Sequence, residues 1–451
     1  VTAHPDLARG AATLAAWLDR QIAPDTRDLL TFEAGGERFG AAFLQPKSVA
    51  DVVRRGAAMY DAAKWSGGML GRTPDYLNVS FAALAAAAGF FSAVRPEFGA
   101  NIRNYYEEMR SRDLVLTHTL VNPSYNRALT AQGLASPEVA LRVVRETDGG
   151  LVVSGARLLA TLGPLSDEIA VFPSTVLKAD EASRAYAVAF ALPSATKGMK
   201  YVCRDSYDTG KPLFDAPLSG RFEEMDAVVL FDDVLVPWER VFLYDDPAAC
   251  NGVYAETNAV VHMMHQVVCK NLAKAEFIVG LLCAMARASE RDRDIAVQGQ
   301  IAEAMWIAET MRAFLYSGER QASEDRWGLH VPLRRPLDTA RNVFPKMYPR
   351  LVELVQLLGA SSLMATPSEA DFSNELAPDV EKYFGLVNLE ARDRVALFRL
   401  AHDVAVAGFG GRQQLYERFF FGPPALMASA YYQLYDRDDC IERVREMLSR
   451  T

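Results

Sequence analysis

The sequence contains 451 residues, of which half are hydrophobic and 23% are charged, and its formal net charge is −9. This length provides for two or three domains and a large buried core, while the acidic balance disfavours a nucleic-acid partner. No apolar run reaches the ~18 residues that a membrane helix needs, and no secretory signal pattern is present. We therefore predict a cytoplasmic protein with no membrane or nucleic-acid partner.

Residues 1–112 predict an N-terminal helical domain. Apolar residues recur at helical spacing over residues 5–21 and 48–66, and Ser48 is placed to cap the second of these helices. The FEAGGERFG segment that starts at Phe32 predicts a hairpin or a loop.

A glycine-rich break, SGGMLGRTPDYLN, interrupts this helical region at residues 66–78. Arg72 and Tyr76 lie four residues apart within it, so a helical turn after Pro74 would direct both side chains the same way. A guanidinium and a phenol on such a loop favour recognition of an oxyanion or a phenol. An arginine that caps backbone carbonyls is the alternative.

The segment DLVLTHTLVNPSYNR, residues 113–127, predicts a strand that runs into a polar turn. His118 lies at its centre, between Thr117 and Thr119, and at the junction between helical and β sequence. Pockets form at such junctions, so His118 is a candidate functional residue. An ordinary histidine at the end of a surface strand is the alternative.

Residues 113–246 predict a central β domain. Hydrophobic residues alternate with period two, and Asp148-Gly149-Gly150 is a strong hairpin signal. Short strands separated by Gly, Asp and Pro turns are typical of an antiparallel barrel or sandwich. Thr161 lies just past one of these strands, where a ligand can meet the backbone.

Residues 247–451 predict a C-terminal four-helix bundle and a helical tail, because long helical patterns are joined by short polar links. The Gly408-Phe409-Gly410-Gly411-Arg412 segment precedes one helix as a turn. Free backbone N–H groups and a cation at that place suit a phosphate, whereas a simple helix cap is the alternative. The order helical domain, β domain, helical bundle fits an α+β, acyl-CoA dehydrogenase-like architecture.

The five cysteines include no CxxC pair, which favours reduced thiols in the cytoplasm. His262, His265 and Cys269 fall on one face of a predicted helix and would make half of a metal site. No second cluster completes it, so we predict no metal and assign these residues to a helical interior.

Several long motifs together resemble one family: the oxygenase component of the 4-hydroxyphenylacetate 3-monooxygenases, which are two-component phenol hydroxylases that use reduced flavin. The resemblance covers nearly the whole chain. It is carried by GGMLGRTPDYLN, LTHTLVNPSYNR, GARLLATLGPLSDEI, PLSGRFEEMDAVVLFDDVLVPWERVFLYDD, FPKMYPRLVELVQLLGASSLMATPSEADF and GFGGRQQLYERFF.

The resemblance implies roles for individual residues. Arg72, Tyr76 and His118 match the group that surrounds the substrate's phenol oxygen and are the expected catalytic residues. Further substrate contacts are expected at Ser174 and Thr175. The expected cofactor contacts are the flavin-facing residues Leu120, Val121, Asn122 and Pro123, with Thr161 near flavin N5. Arg412 is expected near the cofactor's phosphates, either within one subunit or across a subunit interface.

The resemblance also implies the reaction. FAD arrives as FADH2 from a separate NAD(P)H–flavin reductase, by diffusion, and reacts with O2 to give a C4a-hydroperoxide that hydroxylates a phenolic substrate ortho to oxygen, forming a catechol. The expected assembly is a homotetramer, a dimer of dimers. The motifs leave the substrate open among free hydroxyphenyl acids, chlorinated phenols, phenol and carrier-bound tyrosine-like units.

Two alternatives remain at this stage. The 4-hydroxybutyryl-CoA dehydratases resemble the family in fold but hold an iron–sulfur cluster with three Cys and one His. The spacing of His262 and Cys269 resembles part of that site, but this chain has no cysteine before Cys203. A non-catalytic scaffold of the same fold is the second alternative.

Overall fold

The N-terminal part of the computed structural model is mainly helical and includes one short hairpin. The structure describes residues 4–123, 139–173, 177–386 and 388–449. The first elements are α1 (Pro5–Ile22), α2 (Arg27–Leu30), β1 (Thr31–Ala34), β2 (Glu37–Gly40), α3 (Val49–Trp65), α4 (Asp75–Ala86), α5 (Ala88–Ser92) and α6 (Pro96–Arg112). β1 and β2 pair antiparallel, which confirms the hairpin in FEAGGERFG. The Ser48 side chain accepts a hydrogen bond from the Asp51 amide, as the predicted cap requires.

The central part consists of two four-stranded sheets. Its elements are β3 (Leu116–Thr119), β4 (Arg142–Thr147), β5 (Gly150–Thr161), β6 (Glu168–Val171), α7 (Glu181–Arg184), β7 (Val188–Pro193), β8 (Met199–Cys203), β9 (Asp226–Pro237) and β10 (Val241–Tyr244). One sheet has the order β10-β7-β6-β3 and the other β4-β5-β9-β8. Phe190 and Phe231 meet edge-to-face between them, with ring centroids 6.1 Å apart, so aromatic packing joins the two sheets.

The C-terminal part is helical around one long buried helix. It comprises α8 (Pro247–Glu256), α9 (Ala259–Ala288), α10 (Ile295–Arg320), β11 (Ser323–Glu324), β12 (His330–Val331), α11 (Arg334–Gly359), α12 (Ala377–Phe384), α13 (Ala391–Ala405), α14 (Gly408–Phe419), α15 (Pro424–Leu434) and α16 (Asp438–Ser449). α9 packs against α3, α4, α10 and α11. Its residues are buried on nearly every side, which is why its apolar pattern lacks a clear polar face.

Three details differ from the sequence predictions. The central sheets are not wholly antiparallel, because β3 pairs in parallel with β6. The apolar pattern from Tyr254 to Arg287 predicts one long helix, but the structure breaks it at Asn258, which has a left-handed backbone with φ of 55°. The GFGGR segment forms the start of α14 rather than a turn before it. Glycine at position 410 serves close packing, since a Cβ there would lie 2.1 Å from the Val404 carbonyl oxygen.

A buried ion-pair network joins the second sheet to the bundle. Asp226, at the start of β9, accepts hydrogen bonds from Arg412 Nε at 3.0 Å, Arg412 Nη2 at 2.8 Å and Arg204 Nε at 3.0 Å. It also accepts one from Thr161 Oγ1 at 2.7 Å. Arg412 Nη1 donates to Glu224. Although burial raises the pKa of a carboxyl, Arg412 holds the pKa of Asp226 well below its ordinary value.

No helix in the described ranges combines the length and the apolar character that crossing a membrane requires.

The network predicts a pH-dependent loss of stability in Asp226→Asn. At pH 7 the free energy of unfolding should fall by about 3 kcal/mol, because the buried guanidinium of Arg412 and the partly exposed guanidinium of Arg204 lose a charged partner. The lowered pKa of Asp226 makes its contribution present above the unfolded-state value of ~3.9 and lost as the pH falls further. Urea midpoints from pH 3 to pH 8 measure the difference, which should shrink below about pH 4.

Asp232→Asn is the matched control on the same strand. Its carboxylate pairs with Lys200 at 3.1 Å, but both side chains are exposed, so the urea midpoint should hardly change. Equal midpoints for the two variants at pH 7 would show that the Asp226 network does not hold the sheet and bundle together.

Candidate active site

Three residues that were predicted to act together lie side by side. Arg72 precedes α4, Tyr76 lies in its first turn, and His118 lies on β3. The rings of Tyr76 and His118 have centroids 5.6 Å apart, and the Arg72 guanidinium carbon lies 4.4 Å from the centre of the Tyr76 ring. The structure thus brings together a cation, a phenol and an imidazole at the seam between helical and β parts.

Local packing fixes the loop that carries Arg72. Its backbone N–H donates to Glu224 Oε1 at 2.6 Å. The Gly71 carbonyl accepts from Tyr416 Oη at 2.8 Å, and a Cβ at Gly71 would lie 2.4 Å from Cζ of the Tyr416 ring. Glycine is therefore needed at position 71 so that the tyrosine can lie against the backbone.

A polar clamp from α9 holds the start of α4. Gln266 Nε2 donates to Thr73 Oγ1 at 3.1 Å and to Asp75 Oδ1 at 3.2 Å, and Thr73 Oγ1 also donates to Asp75. Burial raises the pKa of Asp75 to about 6, against the opposing effect of these hydrogen bonds. The clamp places Tyr76, the next residue, within the site.

Arg72 is a cation without a carboxylate partner among the residues that the structure describes. Its guanidinium carbon lies 4.1 Å from the Phe420 ring centre, and its Nη1 atom is buried without a hydrogen-bond partner. Cation–π contact with Tyr76 and Phe420 compensates in part for lost hydration. A buried donor that remains unpaired is costly, so this place is suited to an anionic oxygen.

His118 and Tyr76 are both uncharged at neutral pH, and one can accept a hydrogen bond from a ligand while the other can donate one. Burial and the neighbouring Arg72 cation lower the pKa of His118 well below its ordinary value, so the imidazole is neutral at pH 7. Its Nδ1 is buried and has no hydrogen-bond partner. Burial raises the pKa of Tyr76, although Arg72 opposes the shift. Tyr76 therefore keeps its proton and is a donor, while His118 is an acceptor.

The residues expected to face a flavin, 120–123, directly follow β3 and lie beside β5. Val121 bridges to Leu158, and Arg157 Nη1 donates to the Leu120 carbonyl at 2.9 Å. Pro123 follows at the end of the described range. Asn122 is buried, yet its Oδ1 atom has no hydrogen-bond partner among the described residues, which end at Pro123 and resume at residue 139.

Thr161 lies at the end of β5, the strand beside which residues 120–123 lie. Its carbonyl accepts a hydrogen bond from Thr117 Oγ1, and its own hydroxyl donates to Asp226. Leu159, two residues earlier, has a left-handed backbone with φ of 58° and an exposed side chain. An exposed apolar surface beside an unpaired amide oxygen fits the edge of a flat heterocycle with N–H donors, so these residues fit an isoalloxazine ring.

Arg412 has partners other than the one expected from sequence. All three of its guanidinium nitrogens donate to Glu224 or Asp226 within the chain. Its role at the cofactor's phosphates stays a prediction, and the contacts here are those of a structural residue. Ser174 and Thr175 lie outside the described residues.

Three contributors to the site were not singled out from sequence. Tyr416 and Phe420 reach Arg72 from the end of α14, and Glu224 holds the Arg72 amide. The aromatic spacing of YERFFF carried a signal, because residues four apart share one helix face. Glu224 lies in an ordinary polar stretch before β9, and no feature of the sequence indicated its role.

The histidines and cysteine of α9 form a separate buried group. His262 Nδ1 lies 2.6 Å from Arg55 Nη2, and His265 Nε2 lies 2.8 Å from Glu319 Oε1. Ligand atoms of His265, Cys269 and Glu319 lie within 4.8 Å of one another. All three are buried, and the hydrogen bonds that His262 and His265 make agree with the helical-interior interpretation.

Comparison with known proteins identifies the family. The models for the N-terminal and C-terminal parts of 4-hydroxyphenylacetate 3-hydroxylase match residues 1–243 and 250–449. The chain belongs to this family. A 4-hydroxyphenylacetate 3-monooxygenase oxygenase component from Thermus thermophilus is 47% identical over 100% of this chain and 92% of its own length. The predicted family and enzyme class, an aromatic hydroxylase, are thereby confirmed.

Solved structures agree in fold. The crystal structure of an oxygenase component complexed with FAD and 4-hydroxyphenylacetate matches with a TM-score of 0.95 and 47% identity, covering 100% of this chain and 93% of that one. An archaeal 4-hydroxybutyryl-CoA dehydratase from N. maritimus matches with a TM-score of 0.89, covering 99% of this chain and 89% of that one. At 17% identity this second likeness shows the fold alone. The acyl-CoA dehydrogenase-like fold class is confirmed, and family membership favours the hydroxylase over both alternatives.

The close contact at Gly71 predicts a stability difference between two glycine variants. Gly71→Ala should lower the free energy of unfolding by about 1–3 kcal/mol, because the added methyl group overlaps the Tyr416 ring. Gly411→Ala is the control, since no atom lies within 4 Å of its added Cβ, and alanine should be neutral or slightly stabilising in a helix. Urea unfolding measures both. A neutral Gly71→Ala would mean that the ring does not pack against the loop.

Proposed function

We propose that this chain is the oxygenase component of a two-component monooxygenase that hydroxylates 4-hydroxyphenylacetate, or a closely related phenolic acid, ortho to its hydroxyl group. Reduced FAD would come from a separate NAD(P)H–flavin reductase by diffusion. The observation that carries the proposal is the buried, unpaired Nη1 of Arg72 beside a neutral His118 and a protonated Tyr76.

The three side chains bind the phenol and favour its ionised form, the phenolate. Arg72 stabilises the negative oxygen by charge, because an arginine cannot act as a base at neutral pH. The Tyr76 hydroxyl group donates a hydrogen bond to the same oxygen. A phenolate is more electron-rich than a phenol at its ortho carbons, so this binding mode prepares the ring for attack by an electrophilic oxygen.

His118 orients the hydroxyl group as a hydrogen-bond acceptor. Its lowered pKa disfavours a stable imidazolium beside Arg72, so a proton that His118 takes from the phenol would have to pass on to solvent water. The 4%-exposed side chain also keeps water from the phenol oxygen. Tyr76 and Phe420, whose rings meet edge-to-face at 5.3 Å, contribute to the same dry wall.

The flavin ring would bind between the segment 120–123 and Thr161 at the end of β5. The reduced cofactor supplies the activation of O2 when it is bound. Thr161 keeps its carbonyl and hydroxyl in fixed directions through Thr117 and Asp226. Leu120, Val121, Asn122 and Pro123 would face the ring, while Ser174 and Thr175 would contact the substrate's side chain.

Removal of the Arg72 charge should change the ionisation of a bound phenol. In Arg72→Met, the pKa of bound 4-nitrophenol should rise by about 1–3 units, since a nearby cation favours the charged form by that amount. The absorbance of the nitrophenolate across pH 5–9, measured with excess protein, reports this pKa. Arg72→Lys should recover part of the shift.

Arg95→Met is the matched control, because Arg95 also lies over aromatic rings, those of Phe98, Trp238 and Tyr244. The 4-nitrophenol bound to this variant should titrate as in the unaltered chain, and an unchanged pKa in Arg72→Met would remove Arg72 from the site.

The unaltered chain, given chemically reduced FAD and air, should convert 4-hydroxyphenylacetate to a catechol. Release of hydrogen peroxide alone would contradict the proposed function.

We further propose that the chain forms a homotetramer, a dimer of dimers. No residue of α16 is buried, yet one face of this helix is apolar. Ile441, Val444 and Leu448 are 41%, 61% and 69% exposed and recur at helical spacing. An exposed apolar face of this kind favours contact with another copy of the chain.

Charges on that face should dissociate the assembly. The variant Ile441→Glu/Val444→Glu/Leu448→Glu should have a smaller mass than the unaltered chain in size-exclusion chromatography with light scattering, because the interface would have to bury three carboxylates. Arg443→Glu places a carboxylate on the other side of the same helix, away from the apolar face, and should leave the mass unchanged. Equal masses for all three proteins would exclude α16 from the interface.

A further inference from the structure

A cavity of about 310 Å³ lies among α9, α11, α14 and α15, beside the candidate active site. Phe420 lines this cavity and also contacts Arg72 and Tyr76. The volume is in the range of small-molecule sites. Arg72, Tyr76 and His118 do not line it, and Phe420 is the residue that the cavity shares with the active site.

Two buried polar atoms on the cavity wall lack partners. Asn271 is 2% exposed, and its Oδ1 has no hydrogen-bond partner. The Arg341 side chain is 8% exposed, and its Nε is likewise unpaired. Unsatisfied buried groups are rare in folded proteins and call for a ligand or an ordered water. One acceptor and one cationic donor are thus available to the same ligand.

The charges around the cavity favour an anion. Arg341, Lys346 and Arg418 line it. Arg341 shares the Asp338 carboxylate with Arg334, at 2.7 Å and 2.8 Å respectively, so one negative charge serves two cations.

The lining carboxylate does not restore the balance. Glu417 Oε1 accepts hydrogen bonds from both Lys270 and Lys274. Burial, set against the attraction of Glu417, lowers the pKa of Lys270 to about 7. The lining carboxylate is therefore already shared by two amines, and an excess of positive charge remains.

The remaining walls are suited to an aromatic ring. Phe420 and Phe421 meet edge-to-face with centroids 4.6 Å apart, and Met427 lies on the same lining. Aromatic and thioether side chains bind flat rings well. We propose that this cavity is a second binding site, for a hydroxyaryl carboxylate, in which the carboxylate pairs with Arg341 and the hydroxyl group donates to Asn271 Oδ1.

The phenol oxygen at the active site meets Arg72, whereas the phenol of this second ligand meets an amide oxygen. The second site therefore binds the neutral phenol and does not activate it for hydroxylation. Because both sites share Phe420, occupation of the cavity fixes one wall of the active site.

Isothermal titration of the flavin-free full chain with 4-hydroxyphenylacetate tests the proposal, since no turnover occurs without flavin. Two molecules should bind per chain. Arg72→Met should weaken the active-site event and leave the cavity event unchanged. Met427→Trp, which fills the cavity, should leave one event that still depends on Arg72.

Asn271→Leu sharpens the test because it removes only the acceptor. It should weaken the cavity event for 4-hydroxyphenylacetate by about tenfold but leave the cavity affinity for phenylacetate, which has no hydroxyl donor, unchanged. Circular dichroism and the retained active-site event show that each variant is folded.

Three outcomes would overturn the second site. One is a single binding event in the unaltered chain. Another is a single event that Met427→Trp weakens, which would make the cavity part of the substrate site. The third is displacement of the cavity-bound ligand by FAD, which would assign the cavity to the cofactor. Each differs from failure of the proposed function, which is measured at Arg72.

Discussion

The salt bridge between Asp226 and Arg412 is the interaction on which the site depends. It joins the first residue of β9 to α14, and α14 carries Tyr416 and Phe420 onto Arg72. Two residues earlier, Glu224 bonds both Arg412 and the Arg72 amide. Residues 224–226, at and just before the start of β9, therefore set the distance between three parts of the chain, because the carboxylates of Glu224 and Asp226 are shielded from water and pair with arginines instead.

The same arrangement explains why the cation at the centre of the site stays available. Arg412 and Arg204 take up the nearby carboxylates, so Arg72 is left to aromatic rings. A carboxylate paired with the Arg72 guanidinium would neutralise its charge and compete with a phenolate. The division between paired arginines and the one that we propose for substrate binding, whose Nη1 is unpaired among the described residues, is a physical criterion that the sequence alone does not provide.

Local features of the sequence predicted local structure well. The Asp148-Gly149-Gly150 turn and the Ser48 cap depend on nearest neighbours, and both form as expected. His118 and Arg72 could be named because their motifs are distinctive. The partners of Arg412 could not, since Glu224 and Asp226 lie more than 180 residues away and carry no local signal.

The parallel pairing of β3 with β6 escaped prediction for a related reason. Period-two alternation reports that a strand is half buried but not the direction of its neighbour. The sequence predicts a turn where α14 begins, because glycines favour turns. At position 410 glycine permits contact with the Val404 carbonyl instead.

The clamp at Asp75 places a trade-off between stability and function at the base of the site. Because burial raises the pKa of this carboxyl to about 6, the ionised form opposes folding at neutral pH by roughly 2–3 kcal/mol, and the opposition fades as the pH falls towards the unfolded-state value. A neutral residue there would favour a more stable chain. The fold tolerates a costly charge at the point that positions Tyr76, so selection for stability alone would not preserve this sequence.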